Sequence, residues 1–296
     1  MTLDGYVREG VRMIQAGGLT AVRDILARGY FWLKPGPDGT NVYDRDWDVL
    51  VVLDACRADA LAAAAADRDW IEKVEAITSV GGHSREWMDR TVAGAPDQEL
   101  ERTAYITGNP FSAEMTVADA FGMVDEVWRY GWDDDLGIIP ARPLTDRAIT
   151  VGREDGYDRL IVHYMQPHFP AVTHDGSGGL ALEEWGDRDV FIWDEIRSGK
   201  RTVEEARDLY RDNLDYVLDD IALLAENIDG DMVITADHGN AFGEGGVYGH
   251  VPGVALPAVR RVPWGFVDAS DGGGHEPATY DRDVEEGNIR DRLTAL

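Results

Sequence analysis

Asp48-Val-Leu-Val-Val-Leu-Asp54 and Val233-Ile-Thr-Ala-Asp237-His238-Gly239 are the two stretches that decide the fold. Each is an apolar, β-branched run that stops abruptly at side chains able to bind a metal. Short continuous hydrophobic runs are the pattern of parallel strands buried on both faces, and in open α/β sheets ligands sit beyond the carboxyl ends of such strands. The two strand ends are therefore expected to converge on one cation.

Outward from this pair the chain alternates between strand and helix. Strands are expected at 48–54, 72–79, 102–107, 158–165, 231–236 and 261–267, and helices near 57–66, 84–94, 144–154, 202–227 and 283–294. That order predicts an α/β three-layer sandwich, a mostly parallel central sheet with helices on both faces. Residues 3–16 and 19–33 carry helical spacing until Pro35-Gly36-Pro37-Asp38-Gly39 stops it. We expect a helical N-terminal extension over 1–41 and one main domain over 42–296. Glu204 and Glu205 suit the first turn of the long helix after Thr202. Between 166 and 201 the chain is rich in Gly, Asp and aromatics without a clear period, as in a lid or binding surface. Trp185 and Trp193 there could stack on a sugar or base, or belong to the core.

Composition excludes several classes. The 296 residues are 44% hydrophobic with nine Trp, enough for a large core and against acidic disorder. Lys plus Arg number 28 against 56 Asp plus Glu, a net charge of −28. Such an excess argues against binding nucleic acid or an anionic membrane. The carboxylates run along the whole chain, which suits a salt-adapted cytosolic protein whose self-repulsion concentrated cations screen. The one cysteine, Cys56, excludes an intrachain disulfide and a multi-Cys zinc site, and fits a reducing cytosol. No stretch is apolar enough to span a bilayer and the start lacks a secretory signal, so neither anchoring nor export is expected.

Asp54, Asp237 and His238 supply two hard oxygens and an imidazole, a set suited to Mn²⁺, Mg²⁺, Ca²⁺ or Zn²⁺. Taken singly, Asp54 could equally cap the 57–66 helix, and Asp237-His238-Gly239 could be a polar strand-to-turn corner. The glycine-rich loop that follows, Gly239-Asn-Ala-Phe-Gly243-Glu244-Gly245-Gly246-Val-Tyr-Gly249-His250, ends in another candidate ligand or acid.

Val52-Leu53-Asp54, Thr235-Ala236-Asp237-His238-Gly239, Gly243-Glu244-Gly245 and His250 together resemble the sulfatase-like branch of the alkaline phosphatase superfamily. Gln166-Pro167-His168-Phe169-Pro170 looks like that family's substrate-facing His-x-Pro segment, and Tyr105-Ile-Thr-Gly-Asn109 like the run after its nucleophile helix. The matches keep the family's order from about Asp48 to Val267. The family's nucleophile sits at a helix start some tens of residues after the first strand, and the corresponding segment is Thr78-Ser79-Val-Gly81-Gly82-His83-Ser84-Arg85. Ser84 is the expected nucleophile, where free backbone N–H groups and the helix dipole favour an anionic ester. Its alternative role is a plain N-cap, and Thr78 and Ser79 are weaker candidates.

The departures narrow the reading. Cys56-Arg57-Ala58 lacks the Pro of a formylglycine sulfatase motif, Ala55 replaces a second Asp, and Tyr164 stands where two-zinc members carry an acid. The resemblance thus implies one divalent metal held by Asp54, Ser84, Asp237 and His238. His168 and His250 would protonate the leaving oxygen or bind an ester oxygen, and Arg57 could face the oxyanion, unless these are structural. His163, on a strand, reads as core, and His83 as a neighbour of Ser84. The expected activity is hydrolysis or transfer of phosphate or sulfate esters, phosphoesters preferred, on a small-molecule or glycan/lipid-type ester. A sulfatase without formylglycine and a catalytically silent metal-binding scaffold are the alternatives.

Overall fold

Val49–Leu53 forms β1, whose leucines and valines are buried on both faces. Each such side chain contributes about 1.5–3 kcal/mol on leaving water. The computed structural model describes residues 3–34, 36–115, 118–133, 136–154, 156–172, 191–250 and 252–280. The helix expected at 283–294, Trp185 and the 173–190 part of the expected lid lie outside the described residues.

Around β1 stand β2 (Ile71–Thr78), β3 (Thr103–Thr107), β4 (Met123–Glu126), β5 (Arg159–Tyr164), β6 (Met232–Thr235) and β9 (Arg261–Val267); β7 (Ala241–Phe242) and β8 (Tyr248–Gly249) form a separate hairpin. The seven-stranded sheet runs β2-β9-β6-β1-β5-β3-β4. All pairings are parallel except those of β9, which opposes both β2 and β6. Sequence reading missed β4, because the short run Met-Val-Asp-Glu hides an edge strand behind two carboxylates.

Helices flank the sheet. They are α1 (Leu3–Leu33), α2 (Ala58–Ala65), α3 (Ser84–Gly94), α4 (Asp97–Leu100), α5 (Trp128–Gly131), α6 (Ala141–Gly152), α7 (Phe191–Arg197), α8 (Val203–Ala225) and α9 (Pro257–Arg260). α2 packs on β2 and β9, and α6 on β3, β5 and α8. α8 opens with a capping box: Thr202 Oγ1 accepts from Glu205 N at 3.1 Å and Glu205 Oε2 from Thr202 N at 2.7 Å. The two helices expected at 3–16 and 19–33 appear as α1, broken at Gly18 with φ 52°. α7 lies within the 166–201 stretch, whose sequence shows no clear period.

Strand register positions the site. Val52 pairs with His163 and Thr235, and His163 pairs with Thr107. Asp54, Asn109 and Asp237 each lie two residues beyond that row, so all three leave the sheet together at its carboxyl edge.

Candidate active site and metal centre

β1 ends in a tight exit. Ala55 adopts φ 61°, a left-handed conformation that costs a residue with a Cβ about 1–2 kcal/mol. Its amide donates to Asp237 Oδ1 at 3.1 Å and its carbonyl accepts from the Tyr210 hydroxyl at 2.7 Å. The turn therefore ties the two strand ends together. Gly239 is required beside them, since a Cβ would press into the Ala258 carbonyl.

α3 delivers Ser84 as its first residue, with His83 as N-cap accepting from Arg85 N at 3.2 Å. Buried Ser84 Oγ lies 3.3 Å from His238 Nε2 and 3.5 Å from Asp54 Oδ2. Asn109 Nδ2 donates to Asp54 Oδ2 at 2.9 Å. His238 Nδ1 meets the Gly239 carbonyl at 2.9 Å. A carbonyl only accepts, so Nδ1 carries the proton and Nε2 turns its lone pair toward Ser84 and the two carboxylates.

The donor set fits a divalent cation. Asp54 Oδ1, Asp237 Oδ2 and His163 Nε2 are buried without hydrogen-bond partners, an arrangement costly for polar atoms unless something else satisfies them. His238 Nε2 is 3.5 Å from Asp54 Oδ1 and 3.4 Å from Asp237 Oδ2, and His163 Nε2 is 3.7 Å from Asp237 Oδ2. Ligand atoms of Asp54, His163 and Asp237 lie within 4.8 Å of one another. Metal bonds of about 2.0–2.2 Å set neighbouring donors at about this spacing. Burial, then the charge of Asp237, pushes the Asp54 carboxyl well up. Burial also acts against Asp237, but His238 and His163 outweigh it and hold Asp237 low. Without a cation the pair shares a proton; a cation would replace it.

Histidines close the other side. His168 Nε2 and His250 Nε2 are 3.0 Å apart, and the His250 ring lies 4.2 Å from that of His238. His168 Nδ1 donates to the Phe169 carbonyl at 2.6 Å, so its Nε2 accepts from His250, leaving His250 Nδ1 buried and unpaired. Burial, then the neighbouring His238 ring, pushes His168 down to about 4 and His83 down to about 3; His250 falls well below its usual value for the same reasons. All three rings are neutral near pH 7.

The other expected residues are placed differently. The Arg57 guanidinium donates to both Asp59 oxygens at 2.8 and 2.7 Å, to the Asn240 carbonyl at 2.9 Å and to Glu244 Oε1 at 2.8 Å. Its fork is thus spent on carboxylates and the glycine loop, not aimed at Ser84. Ser79 is structural, its hydroxyl bonded to the Asp237 carbonyl and accepting from Gly81 N. Burial pushes the Cys56 thiol far up, so it stays neutral. Trp193 is core, packed edge-on against Phe169 and Phe242. Sequence reading missed the roles of Asn109 and His163. The available signal for His163 was a polar ring inside a strand buried on both faces, where the Tyr105 hydroxyl meets its Nδ1 at 2.8 Å.

No family model and no curated protein matches this chain. Solved structures do. Lipooligosaccharide phosphoethanolamine transferase A (EptA) of Neisseria meningitidis, an integral membrane protein, superposes with TM-score 0.51 and 18% identity, over 82% of this chain and 51% of its own. The C-terminal periplasmic domain of EptC from Escherichia coli, solved with zinc, gives TM-score 0.50 and 13% identity over 86% and 82%. A Vibrio parahaemolyticus protein of the alkaline phosphatase superfamily matches at TM-score 0.40 and 11% identity, over 84% and 69%. The chain shares its fold with the two transferases. It spans about half the length of the neisserial transferase. Among the described residues, no helix is long and apolar enough to cross a membrane.

Proposed function

We propose that this chain is a metal-dependent phosphoester transferase or hydrolase that works through Ser84, with Asp54, Ser84, Asp237 and His238 holding one divalent cation. The observation that carries it is the position of Ser84 Oγ at the start of α3, 3.3 Å from the bare His238 Nε2 and beside two buried carboxylate oxygens that lack partners. Two carboxylates with imidazole suit Mn²⁺ or Zn²⁺ better than Ca²⁺ or Mg²⁺. The main domain over 42–296 would carry the activity and residues 1–41 an accessory helical extension, in a salt-adapted cytosol.

When bound, the cation supplies a Lewis acid that favours the Ser84 alkoxide and neutralises charge on the ester. Ser84 gives up its proton to solvent before it attacks. Ser84 Oγ then bonds to phosphorus while the bond from phosphorus to the alcohol oxygen breaks. The N–H groups opening α3 face the transferring group. His250 and His168 border the ester oxygens; the pair would take up one proton as the anionic ester binds, hydrogen-bond those oxygens and pass that proton to the departing alkoxide. Water or an acceptor alcohol returns that proton to the pair as it attacks phosphorus and restores Ser84. Arg57 serves to fasten the loop that carries His250. The neighbouring lipooligosaccharide phosphoethanolamine transferase supports a phosphoester on a lipid or glycan as the substrate class.

Hydrolysis of aryl phosphate, bis-aryl phosphate and aryl sulfate in molar KCl, with each metal added singly, tests the reading beside Ser84→Ala. We expect phosphoester turnover that Ser84→Ala lowers by about 10³-fold or more while metal is retained. Undiminished turnover in the variant removes Ser84 as nucleophile. Metal binding without turnover on any ester points to the scaffold alternative.

A further inference from the structure

The seven exposed large hydrophobic side chains among the described residues all belong to α1: Val11, Ile14, Leu19, Leu26, Tyr30, Trp32 and Leu33. Beyond the break at Gly18, Leu19, Leu26, Tyr30 and Leu33 follow at intervals of seven, four and three residues, which places them on one stripe of the helix. They are 82%, 69%, 61% and 77% exposed. The opposite side of α1 is anchored: Ala21 and Asp24 are buried, Asp24 accepts from Arg28 and Arg197, and Phe31 sits over Gly245.

Charge is segregated on the same element. Between Glu9 and Asp38 the only carboxylate in the sequence is Asp24, and it is buried. Arg23 and Lys34 are exposed along the stripe and at its end. A chain of net charge −28 thus presents one face that is apolar, aromatic at its end and cationic. Total charge, from which no contact with anionic membranes was expected, does not describe this face.

We propose that α1 docks this protein on an anionic lipid surface, lying in the headgroup plane with Leu19, Leu26, Tyr30 and Leu33 in the acyl boundary and Arg23 and Lys34 against lipid phosphates. Apolar-and-basic helices with terminal aromatics bind lipid in this way. Size argues against a second copy as the occupant. The stripe from residue 19 to 33 is about 22 Å long and about 10 Å wide, about 220 Å², where a stable dimer needs about 800 Å² per partner. Docking would also bring the site to the lipid. Arg28 Nη2 donates to the Tyr248 carbonyl at 2.8 Å, and Trp32 packs on Gly253, so α1 holds both flanks of His250. The proposal concerns binding alone and is independent of the catalytic reading.

Flotation of the full chain with vesicles of equal parts phosphatidylcholine and phosphatidylglycerol, beside phosphatidylcholine alone, tests it. We expect flotation with the anionic vesicles, lowered about tenfold by Leu26→Glu or Leu33→Glu and reduced by Arg23→Glu. Both leucines are exposed, and an unchanged circular dichroism spectrum would show that the variants fold. The proposal is overturned if nothing floats, if the variants float as the parent does, if neutral vesicles bind equally well, or if light scattering shows a dimer that Leu26→Glu dissociates.

Discussion

His163 Nε2 lies 3.7 Å from Asp237 Oδ2, and neither buried atom has a hydrogen-bond partner. The other ring nitrogen of His163 meets the Tyr105 hydroxyl at 2.8 Å, which fixes the ring and points Nε2 at the carboxylates. A strand residue that would otherwise be a core histidine thus borders the candidate metal centre.

Loss of that ring should therefore be felt by the metal. We expect His163→Ala to weaken Mn²⁺ or Zn²⁺ binding by about 10–100-fold. Competition with a chelating dye measures this without reference to turnover. An unchanged Kd would return His163 to a packing role.

Acid should destabilise the metal-free chain through His83, His168 and His250. Their folded values, about 3, about 4 and well below normal, lie beneath the value near 6.5 of the unfolded chain. On acidification the unfolded state binds protons first, so stability is complete above about pH 6.5 and falls toward pH 4. Three protons set a ceiling of about 4 kcal/mol per pH unit, and the partial exposure of the three residues keeps the slope below it. Urea midpoints between pH 7 and 4.5 read it directly; a flat profile contradicts it.

Arg57 and Glu244 should couple the β1 exit to the glycine loop. Glu244 Oε1 accepts from Arg57 and from Arg207 at 3.0 Å, while its Oε2 accepts from Phe242 N at 2.5 Å. A double-mutant cycle of Arg57→Met and Glu244→Gln should return about 1 kcal/mol, as expected of a partly buried, hydrogen-bonded pair. Limited proteolysis within 243–253 should accelerate in each single variant. Additive effects with no new cleavage would count against this role.

Ala55→Gly should stabilise the fold by up to about 1 kcal/mol. Glycine relieves the left-handed conformation of Ala55 but gains unfolded-state freedom, and the first effect is the larger. Thermal melting decides the sign, and a lower Tm would show that the Ala55 methyl packs more than its backbone strains.

The strands were legible because burial on both faces writes itself as an apolar run: Val49–Leu53 and Met232–Thr235 fall where the hydrophobic pattern placed them. Asp54, Asp237, His238 and Ser84 were legible because each stands at the end or start of such an element. Arg57 was not, since its choice among oxyanion, Asp59 and Glu244 depends on where a loop nearly two hundred residues later returns.

By itself, then, the sequence determined the parallel α/β order, the carboxylates and imidazole at the strand ends and the helix that opens with Ser84, because all are local consequences of periodicity and chain punctuation. Only the tertiary structure decided that His163 and Asn109 join Asp54, that His168 meets His250, and that the apolar stripe of α1 faces outward. Register between distant strands and the side on which a helix docks are set by packing of the whole chain, which no local pattern encodes.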